Sequence, residues 1–267
     1  MRATDCAIDA AAITAALEAA AREAGVLALQ KFRSTFETWT KGADSPVSEV
    51  DIAVDEMLRA RLSKLAPAVG WLSEESVDEP VRLEHSAVWI VDPIDGTRAF
   101  IAGKTDWAVS VALVEAGRPR AAALFAPAED NLFLATAGGG ATLNGRRLRA
   151  KGESLEGART AGPKPRLDAL AAFGITPLPK VHSLALRIAR VAQGTVDVGI
   201  AGPNSHDWDL AAADLIVHES GGRLTAFDGA APTYNRPNPM HGALVAASNA
   251  RHAMLMQLVQ DRRINLQ

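Results

Sequence analysis

A strand-like apolar run that ends in two aspartates is the feature that most restricts the fold of this chain. Residues 86–92 read SAVWIVD and continue into DPIDGT, so Asp92 and Asp95 stand three residues apart where a buried strand ends. A desolvated carboxylate is costly unless it meets a cation or several hydrogen-bond donors. Pro93 biases Asp92 toward extended geometry and Gly96 permits a sharp turn, so the two side chains can converge on one point.

Two interpretations of the DPIDGT segment remain open on these residues alone. Hard divalent cations such as Mg²⁺ take oxygen ligands, and two carboxylates with the carbonyl of Ile94 would supply them. An Asx turn that caps a following helix uses the same residue types and needs no metal. The choice between them depends on acidic residues elsewhere in the chain.

The first half of the chain predicts two helices followed by a meander of strands. Residues 5–33 predict a long amphipathic helix, and the apolar stripe over residues 50–65 predicts a second helix with Ser48 as N-cap and Pro67 as its stop. WAVSVALVEAGRPRAAALFAP predicts two strands joined at Gly117, and NLFLATAGGGATLNGRRL continues the meander. These patterns predict an antiparallel sheet covered by helices.

The second half of the chain predicts a different arrangement. Prolines and small residues over 150–165 indicate a boundary, so we expect subdomains at residues 1–150 and 151–267. Beyond the boundary, a helical stripe, the strand VDVGI, an apolar helix from Leu210 and two further strands alternate. Packing this α/β half on the antiparallel half predicts an α/β (α+β) fold, a layered αβαβα sandwich.

Composition excludes several other classes of protein. The 28 basic and 31 acidic residues give a net charge of -3, so we expect no nucleic acid polymer and no membrane as a partner. No apolar run approaches the ~20 residues of a membrane span, and charged residues interrupt the N-terminal segment where a signal peptide needs an apolar region. Cys6 is the single cysteine, so no internal disulfide can form, and we expect a cytoplasmic protein.

Three further acidic segments each have an ordinary structural explanation. WLSEES places Glu74 and Glu75 after a short apolar stretch, where a solvated pair is common. SHDWDLAAAD places Asp209 at a predicted helix start, where a capping aspartate is common. In SPVSEVD, Ser48 and Asp51 have the spacing of a capping box.

The segments SPVSEVD, WLSEES, DPIDGT and SHDWDLAAAD, taken together and in this order, resemble the inositol monophosphatase superfamily over residues 41–222. The resemblance implies a magnesium-dependent, lithium-sensitive phosphomonoesterase that acts on a small phosphorylated metabolite. It also implies two or three Mg²⁺ ions in each active site and a homodimer. It implies two sets of metal ligands, which are Glu74, Asp92 and the Ile94 carbonyl for one ion and Asp92, Asp95 and Asp209 for another.

The same resemblance assigns the residues around the reacting phosphate. Asp51 and Thr97, with Glu74, would be the catalytic residues, and the first two would orient the attacking water. Gly96 and Thr97 would donate backbone hydrogen bonds to the phosphate. Water attack assisted by metal ions needs no covalent phosphoenzyme. One departure is visible, because the usual Gly-Glu-Glu of the family is replaced by a segment that begins with Ser73.

Residues outside the metal motifs leave several substrates open. Inositol-specific members usually carry a glutamate where this chain has Gly202. The SPVSEVD and SEES forms, with Ser183 and Arg187 assigned to substrate binding, favour a 3'(2'),5'-bisphosphate nucleotidase acting on 3'-phosphoadenosine 5'-phosphate. Ala99 and the segment WAVSVALV instead favour an inositol-1-monophosphatase, and histidinol phosphate or another sugar phosphate is a third candidate. Arg187 is either a clamp for the uncleaved phosphate or a helix residue that reaches solvent.

Other chemistries find less support in the sequence. No Gly-x-Ser-x-Gly occurs, the glycine-rich AGGGATLNGRR lacks a P-loop ending, and the six histidines, His182 among them, show no zinc spacing. Some bacterial proteins that resemble this chain bind the transcription machinery, so a protein-binding role is the alternative from a different class. The complete acidic set argues against a purely non-catalytic role.

Overall fold

The structure is a computed structural model that describes residues 10–41 and 45–261, so Cys6 and the start of the predicted first helix lie outside it. The first half of the chain contains α1 (Ala10–Lys31), β1 (Thr38–Lys41), β2 (Ser45–Ser48), α2 (Glu49–Leu65), β3 (Gly70–Ser73), β4 (Ala87–Asp95), α3 (Thr97–Ile101), β5 (Ala108–Glu115), β6 (Arg118–Ala126), β7 (Asn131–Thr136), β8 (Gly140–Leu143) and β9 (Arg146–Arg147). The second half contains β10 (Arg159–Ala161), α4 (Lys164–Leu170), β11 (Thr176–Pro177), α5 (Leu184–Gln193), β12 (Val198–Ala201), β13 (Ser205–His206), α6 (Asp207–Glu219), β14 (Gly222–Ala226), β15 (Met240–His241), β16 (Leu244–Ser248) and α7 (Asn249–Gln260).

A seven-stranded sheet holds strands β3 to β9 in chain order. From β4 to β9 every neighbouring pair is antiparallel, which confirms the predicted meander. β3 and β4 run parallel, so the expectation of a purely antiparallel sheet is wrong at this edge. The reason is the connection over residues 74–86, which is long enough for a parallel crossover where a tight hairpin is not.

A second sheet of five strands has the order β11-β10-β12-β16-β14. The first three strands are parallel, and the last two pairs are antiparallel. All the strands of this sheet follow residue 150, whereas all those of the seven-stranded sheet precede it. The division into subdomains at residues 1–150 and 151–267 stays a prediction.

The two sheets and the helices stack in five layers. Successive residues of β4 show why, because Trp89 and Val91 face the core formed with α1 and α2, while Val88 and Ile90 face the core formed with α5 and α6. The five-stranded sheet covers the other side of α5 and α6, and its outer face packs against α4 and α7. The predicted αβαβα sandwich is therefore confirmed. Among the described helices, none is long and apolar enough to cross a membrane.

Candidate active site

The acidic segments meet in one cavity of about 300 Å³, where β4 ends and where α5 and α6 begin. Its wall is formed by Pro46, Glu74, Asp92, Asp95, Gly96, Thr97, Arg98, Lys180, His182 and Asp209. Residues from both halves of the chain therefore line it, and the layers of the sandwich bring them together.

Three carboxylates form the centre of this cavity. One oxygen from each of Asp92, Asp95 and Asp209 lies within 4.8 Å of the other two, and within the described residues this is the only such cluster of metal-binding side chains. A bulge in β4 between Asp92 and Asp95 turns both side chains to the same place, and Asp209 lies in the first turn of α6. Two oxygens that share one Mg²⁺ ion at about 2.1 Å are at most about 4.2 Å apart, so small side-chain shifts would bring these oxygens to a common ion.

Asp92 provides the clearest sign that a cation fits here. The residue is 1% exposed, and neither of its carboxylate oxygens has a hydrogen-bond partner among the described residues. Burial, followed by the nearby charges of Glu74, Asp95 and Asp209, raises the pKa of Asp92 well above its usual value. A buried carboxylate without donors is costly, so the site suits a divalent ion that supplies the missing positive charge.

Asp95 belongs to the carboxylate cluster and also has a structural role. Its Oδ2 accepts hydrogen bonds from Ser183 Oγ at 2.5 Å and from the Ala185 amide at 2.6 Å, and its Oδ1 accepts one from the Leu184 amide at 3.2 Å. Burial raises the pKa of Asp95, and these three donors oppose the rise. Asp95 therefore caps α5 while its side chain faces the cavity.

Ser183, which the sequence assigned to substrate binding, makes its contacts with Asp95 and with α5. The residue is fully buried, its hydroxyl donates to Asp95, and the same oxygen accepts from the Leu186 amide as the N-cap of α5. In this arrangement the Ser183 hydroxyl positions Asp95 and caps α5, and its role in substrate binding stays a prediction.

Glu74 follows β3 and is held through its backbone. Its amide donates to the Val91 carbonyl at 3.2 Å, and its own carbonyl accepts from Lys41 Nζ at 2.9 Å. The Lys41 ammonium also donates to Glu75 Oε2 at 2.7 Å, and the Glu75 side chain is 1% exposed. Burial and then the charge of Glu75 raise the pKa of Glu74 to about 7. The Glu75 side chain, for which the sequence suggested a solvated position, is therefore buried in a partly exposed ion pair with Lys41.

Ser73, the departure from the Gly-Glu-Glu pattern, has a defined partner in the structure. Its hydroxyl donates to Asp55 Oδ1 at 2.5 Å, and Ser76 donates to the other oxygen of the same carboxylate at 2.6 Å. Asp55 belongs to α2, so this link ties the end of β3 to the helix that carries Asp51. The serine thus adds a tether next to Glu74.

Asp51 and Thr97 are in contact, as their predicted shared role requires. Thr97 Oγ1 lies 3.2 Å from Asp51 Oδ1 and 3.1 Å from the carbonyl oxygen of Ile94, so its one proton is donated to either acceptor. Asp51 also forms the predicted capping box with Ser48, whose amide and hydroxyl both donate to Asp51 Oδ2. Burial raises the pKa of Asp51, and the hydrogen bonds from Ser48 oppose the rise.

Gly96 makes the turn between β4 and α3. Its φ of 95° lies in the left-handed region, and an added Cβ would stand 3.1 Å from the Asp106 carbonyl oxygen and 3.2 Å from the Ser183 amide nitrogen. Only glycine fits this position without strain. The turn places Thr97 directly after the two aspartates.

Asp209 is held from the backbone that precedes α6. The His206 amide donates to its Oδ2 at 2.6 Å, while burial and then the charge of Asp95 raise its pKa well above the usual value. The capping role that its position suggested and a place in the carboxylate cluster therefore coexist.

Arg187 contacts the protein rather than only solvent, and its assignment as a clamp for the uncleaved phosphate stays a prediction, since these contacts use two of its five side-chain N–H donors. Its two terminal nitrogens donate to the backbone carbonyls of Ile200, at 3.0 Å, and Val181, at 2.7 Å. Burial lowers the pKa of Arg187, and the charges of Asp95 and Asp209 oppose that change. The side chain therefore does not simply extend into solvent, and each terminal nitrogen already has a carbonyl partner.

His182 lies beside the cavity, and the sequence analysis considered it only as a zinc ligand. The His182 ring contacts Asp106 Oδ2 through Nδ1 at 2.7 Å and Lys104 Nζ through Nε2 at 3.1 Å, and the His182 amide also donates to Asp106 at 2.6 Å. These hydrogen bonds lower the pKa of Asp106 against the effect of burial. Nothing in the local sequence predicts this contact, since His182 and Asp106 lie far apart in the chain.

The family of this chain follows from the site together with a comparison of sequences. The model of the inositol monophosphatase family matches residues 9–263, so the chain belongs to that family. It is a metal-dependent phosphomonoesterase.

Individual relatives agree with this assignment. The chain is 32% identical to "Nus factor SuhB" of Xylella fastidiosa over 91% of its length and 92% of that protein. It is also 32% identical to "Inositol-1-monophosphatase" of Rhizobium meliloti, over 84% of its length and 86% of the relative. Among solved structures, the extragenic suppressor protein suhB of Bartonella henselae has a TM-score of 0.83 at 28% identity, covering 93% of this chain and 98% of the other. A Thermotoga maritima IMPase has a TM-score of 0.79 at 26% identity, covering 91% and 94%.

Proposed function

We propose that this chain removes a phosphate group from a small phosphorylated metabolite, with Mg²⁺ held by Glu74, Asp92, Asp95, Asp209 and the Ile94 carbonyl. The observation that carries this proposal is the buried Asp92 carboxylate, which has no donor within the described residues. Two or three ions bound among these ligands would neutralise the phosphate oxygens and the charge that develops on the leaving oxygen.

The protein groups around the ions have distinct proposed tasks. The Thr97 hydroxyl, which contacts Asp51, orients the attacking water. The water donates a hydrogen bond to this pair of side chains. Glu74, which follows β3, is the third proposed catalytic residue beside Asp51 and Thr97. The turn at Gly96 and the amide of Thr97 face the phosphate as donors.

The leading substrate is a 3'(2'),5'-bisphosphate nucleotide such as 3'-phosphoadenosine 5'-phosphate. Its support is the form of the SPVSEVD and SEES segments and Gly202, which brings no carboxylate to accept hydrogen bonds from sugar hydroxyls. Inositol 1-phosphate is the second candidate, favoured by the printed name of the Rhizobium meliloti relative. Histidinol phosphate and other sugar phosphates follow.

Phosphate release from these substrates by the purified chain tests the proposal. We expect hydrolysis with Mg²⁺, no hydrolysis with EDTA, and inhibition by Li⁺. The substrate with the highest kcat/KM identifies the branch of the family, and failure to hydrolyse any member of the panel would contradict the proposed phosphatase activity.

A protein-binding role is the candidate from a different class, and the name Nus factor of several relatives favours it. Capture of transcription proteins by both the wild type and Asp95→Asn would indicate a binding role that does not need the metal site. The homodimer and the cytoplasmic location stay predictions, and light scattering of the purified chain tests the first.

A further inference from the structure

A groove of about 800 Å³ adjoins the acidic cavity, and two residues, Lys180 and His182, line both spaces. We call it the cation groove and define it by Arg33, Lys104, Lys180, His182 and Arg190. Anything bound to the metal site that is larger than phosphate and extends past His182 therefore enters this groove.

The charges of the cation groove are unevenly compensated. Its two acidic residues each have a partner, because Asp106 accepts from His182 and Glu129 accepts from Arg190 at 2.8 and 3.0 Å. Lys180, by contrast, makes no hydrogen bond or ion pair with any residue in the described part of the chain, and it is exposed. The surplus of charge in the groove is positive.

Lys104 brings a second cation to the point where groove and cavity join. Its ammonium lies 3.1 Å from His182 Nε2, and Asp106 fixes the other ring nitrogen, so the imidazole is held in one orientation with an ammonium at its edge. Arg33, whose Nε donates to the Gly103 carbonyl at 3.0 Å, lies along the same groove.

We propose that the cation groove binds a second anionic group of the substrate, with Lys104 and Lys180 as the residues that determine this specificity. The inference rests on the proposed phosphatase activity and refines it, because it defines the substrate class as a phosphomonoester whose leaving group carries another phosphate. Lysine ammonium groups bind phosphate as point charges and do not require one fixed geometry, so both nucleotide and sugar bisphosphates satisfy the site. This assignment differs from a clamp at Arg187, whose terminal nitrogens donate to backbone carbonyls.

Two matched substrate pairs test the inference on the purified chain with Mg²⁺. One pair is adenosine 3',5'-bisphosphate and adenosine 3'-monophosphate, and the other is inositol 1,4-bisphosphate and inositol 1-phosphate. We expect the wild type to favour the bisphosphate of at least one pair by about tenfold in kcat/KM, since each added charge-assisted contact contributes on this scale. The preferred pair identifies whether a nucleotide or a sugar bisphosphate is the source of the second anion. Because the groove is open to solvent, the preference should shrink as ionic strength rises.

The variants Lys104→Met and Lys180→Met assign the effect to the groove, with Lys64→Met on the exposed face of α2 as a matched control. Each groove variant should lower the ratio of bisphosphate to monophosphate kcat/KM by about three- to tenfold, and the control should leave the ratio unchanged. Lys180 also lines a separate space beside Arg187, whereas Lys104 does not. A ratio that falls in Lys180→Met but not in Lys104→Met therefore overturns the groove assignment.

Failure of this inference is distinguishable from failure of the proposed function. Equal kcat/KM values for the members of both pairs overturn the inference and leave the phosphatase activity intact. If no substrate is hydrolysed, the proposed function fails. The groove is then tested by titration calorimetry of adenosine 3',5'-bisphosphate with Ca²⁺, an ion that takes the same oxygen ligands. Weaker binding to both groove variants supports the inference, and unchanged binding contradicts it.

Discussion

The Asp95 carboxylate lies 2.5 Å from the Ser183 hydroxyl and closes the N-terminus of α5, so one side chain both caps a helix and belongs to the carboxylate cluster. The two tasks of Asp95 depend on different neighbours of its carboxylate. Donors from residues 183–185 lie on one side of it, and the other acidic residues lie on the cavity side. Substitutions in the cluster should therefore differ in their effects on stability even where they have the same effect on activity.

Asp95→Asn should lower both activity and stability. The amide keeps one acceptor oxygen but presents a donor to groups that are themselves donors, which costs about 1–3 kcal/mol of unfolding free energy. The kcat at saturating Mg²⁺ should fall more than tenfold, because a proposed metal ligand is weakened. Urea unfolding and phosphate release measure the two effects. A variant that keeps more than about a tenth of the wild-type kcat would contradict the assigned role.

Asp92→Asn should abolish activity and yet stabilise the protein in EDTA. Asp92 is buried without donors in the described chain and lies among three other carboxylates, so removal of its charge relieves desolvation and repulsion together. We expect the Tm in EDTA to rise by a few degrees, which corresponds to about 1 kcal/mol for a domain of this size. Mg²⁺ should raise the Tm of the wild type but hardly that of the variant. If the Tm of Asp92→Asn in EDTA were lower than that of the wild type, other groups of the protein would have to stabilise the Asp92 charge, which would contradict the prediction.

Lys41→Met should destabilise the protein by about 1–3 kcal/mol, because it leaves the Glu75 carboxylate, which is 1% exposed, without an ammonium partner that is itself partly open to solvent. The same change releases the Glu74 carbonyl, so the Mg²⁺ concentration for half-maximal activity should rise. Chemical unfolding of Lys41→Met, Glu75→Gln and the double variant measures the coupling. The double variant should be more stable than Lys41→Met alone, and simple additivity of the two losses would argue against a coupled pair.

Asp214→Asn should stabilise the protein relative to the wild type, and this gain in unfolding free energy should be larger at pH 8 than at pH 4. Burial raises the pKa of Asp214 to about 6, while the Tyr234 hydroxyl, which donates to Oδ2 at 3.0 Å, opposes the rise. The folded state therefore holds this proton up to a higher pH than the unfolded state, and the wild type loses stability as pH rises from about 4 through 6.

The charge at Asp214 costs about 2–3 kcal/mol above that window, and an asparagine, which still accepts from Tyr234, removes the cost. Urea unfolding at several pH values between 4 and 8 tests this. Tyr234→Phe serves as the companion variant, because loss of the donor should shift the window to higher pH. A difference between Asp214→Asn and wild type that does not depend on pH would refute the assignment.

The major elements of the fold follow from the sequence because their patterns are strong. The strands β4 to β7 are apolar or alternating segments of six to nine residues, and α2 has both a capping box and a stop at Pro67, so their positions follow closely from the sequence. The short strands β11, β13 and β15 were not predicted, since two residues carry no periodicity. The helix α7 was also missed, because its sequence NARHAMLMQLVQ lacks a clean apolar stripe.

The site divides in the same way. The acidic side chains were found through ordered motifs, whereas the contacts that support them join residues far apart in the chain. Asp95 and Ser183 are 88 positions apart, and Lys41 and Glu75 are 34 apart, so no local pattern indicates either pair. The predicted substrate role of Ser183 and the ordinary explanation of Glu75 as part of a solvated pair both considered each residue without its distant partner.

The distribution of the acidic cluster along the chain has a consequence for how the protein is made. Asp92 and Asp95 leave the ribosome long before Asp209, which lies in the first turn of α6, and residues 183–185 must emerge in between to supply the donors that hold Asp95. A nascent chain that ends near residue 150 therefore carries only part of the cluster and lacks α5 and the donors that hold Asp95. Tight Mg²⁺ binding should therefore appear only after Asp209 has emerged, so the metal is not expected to guide the first folding steps.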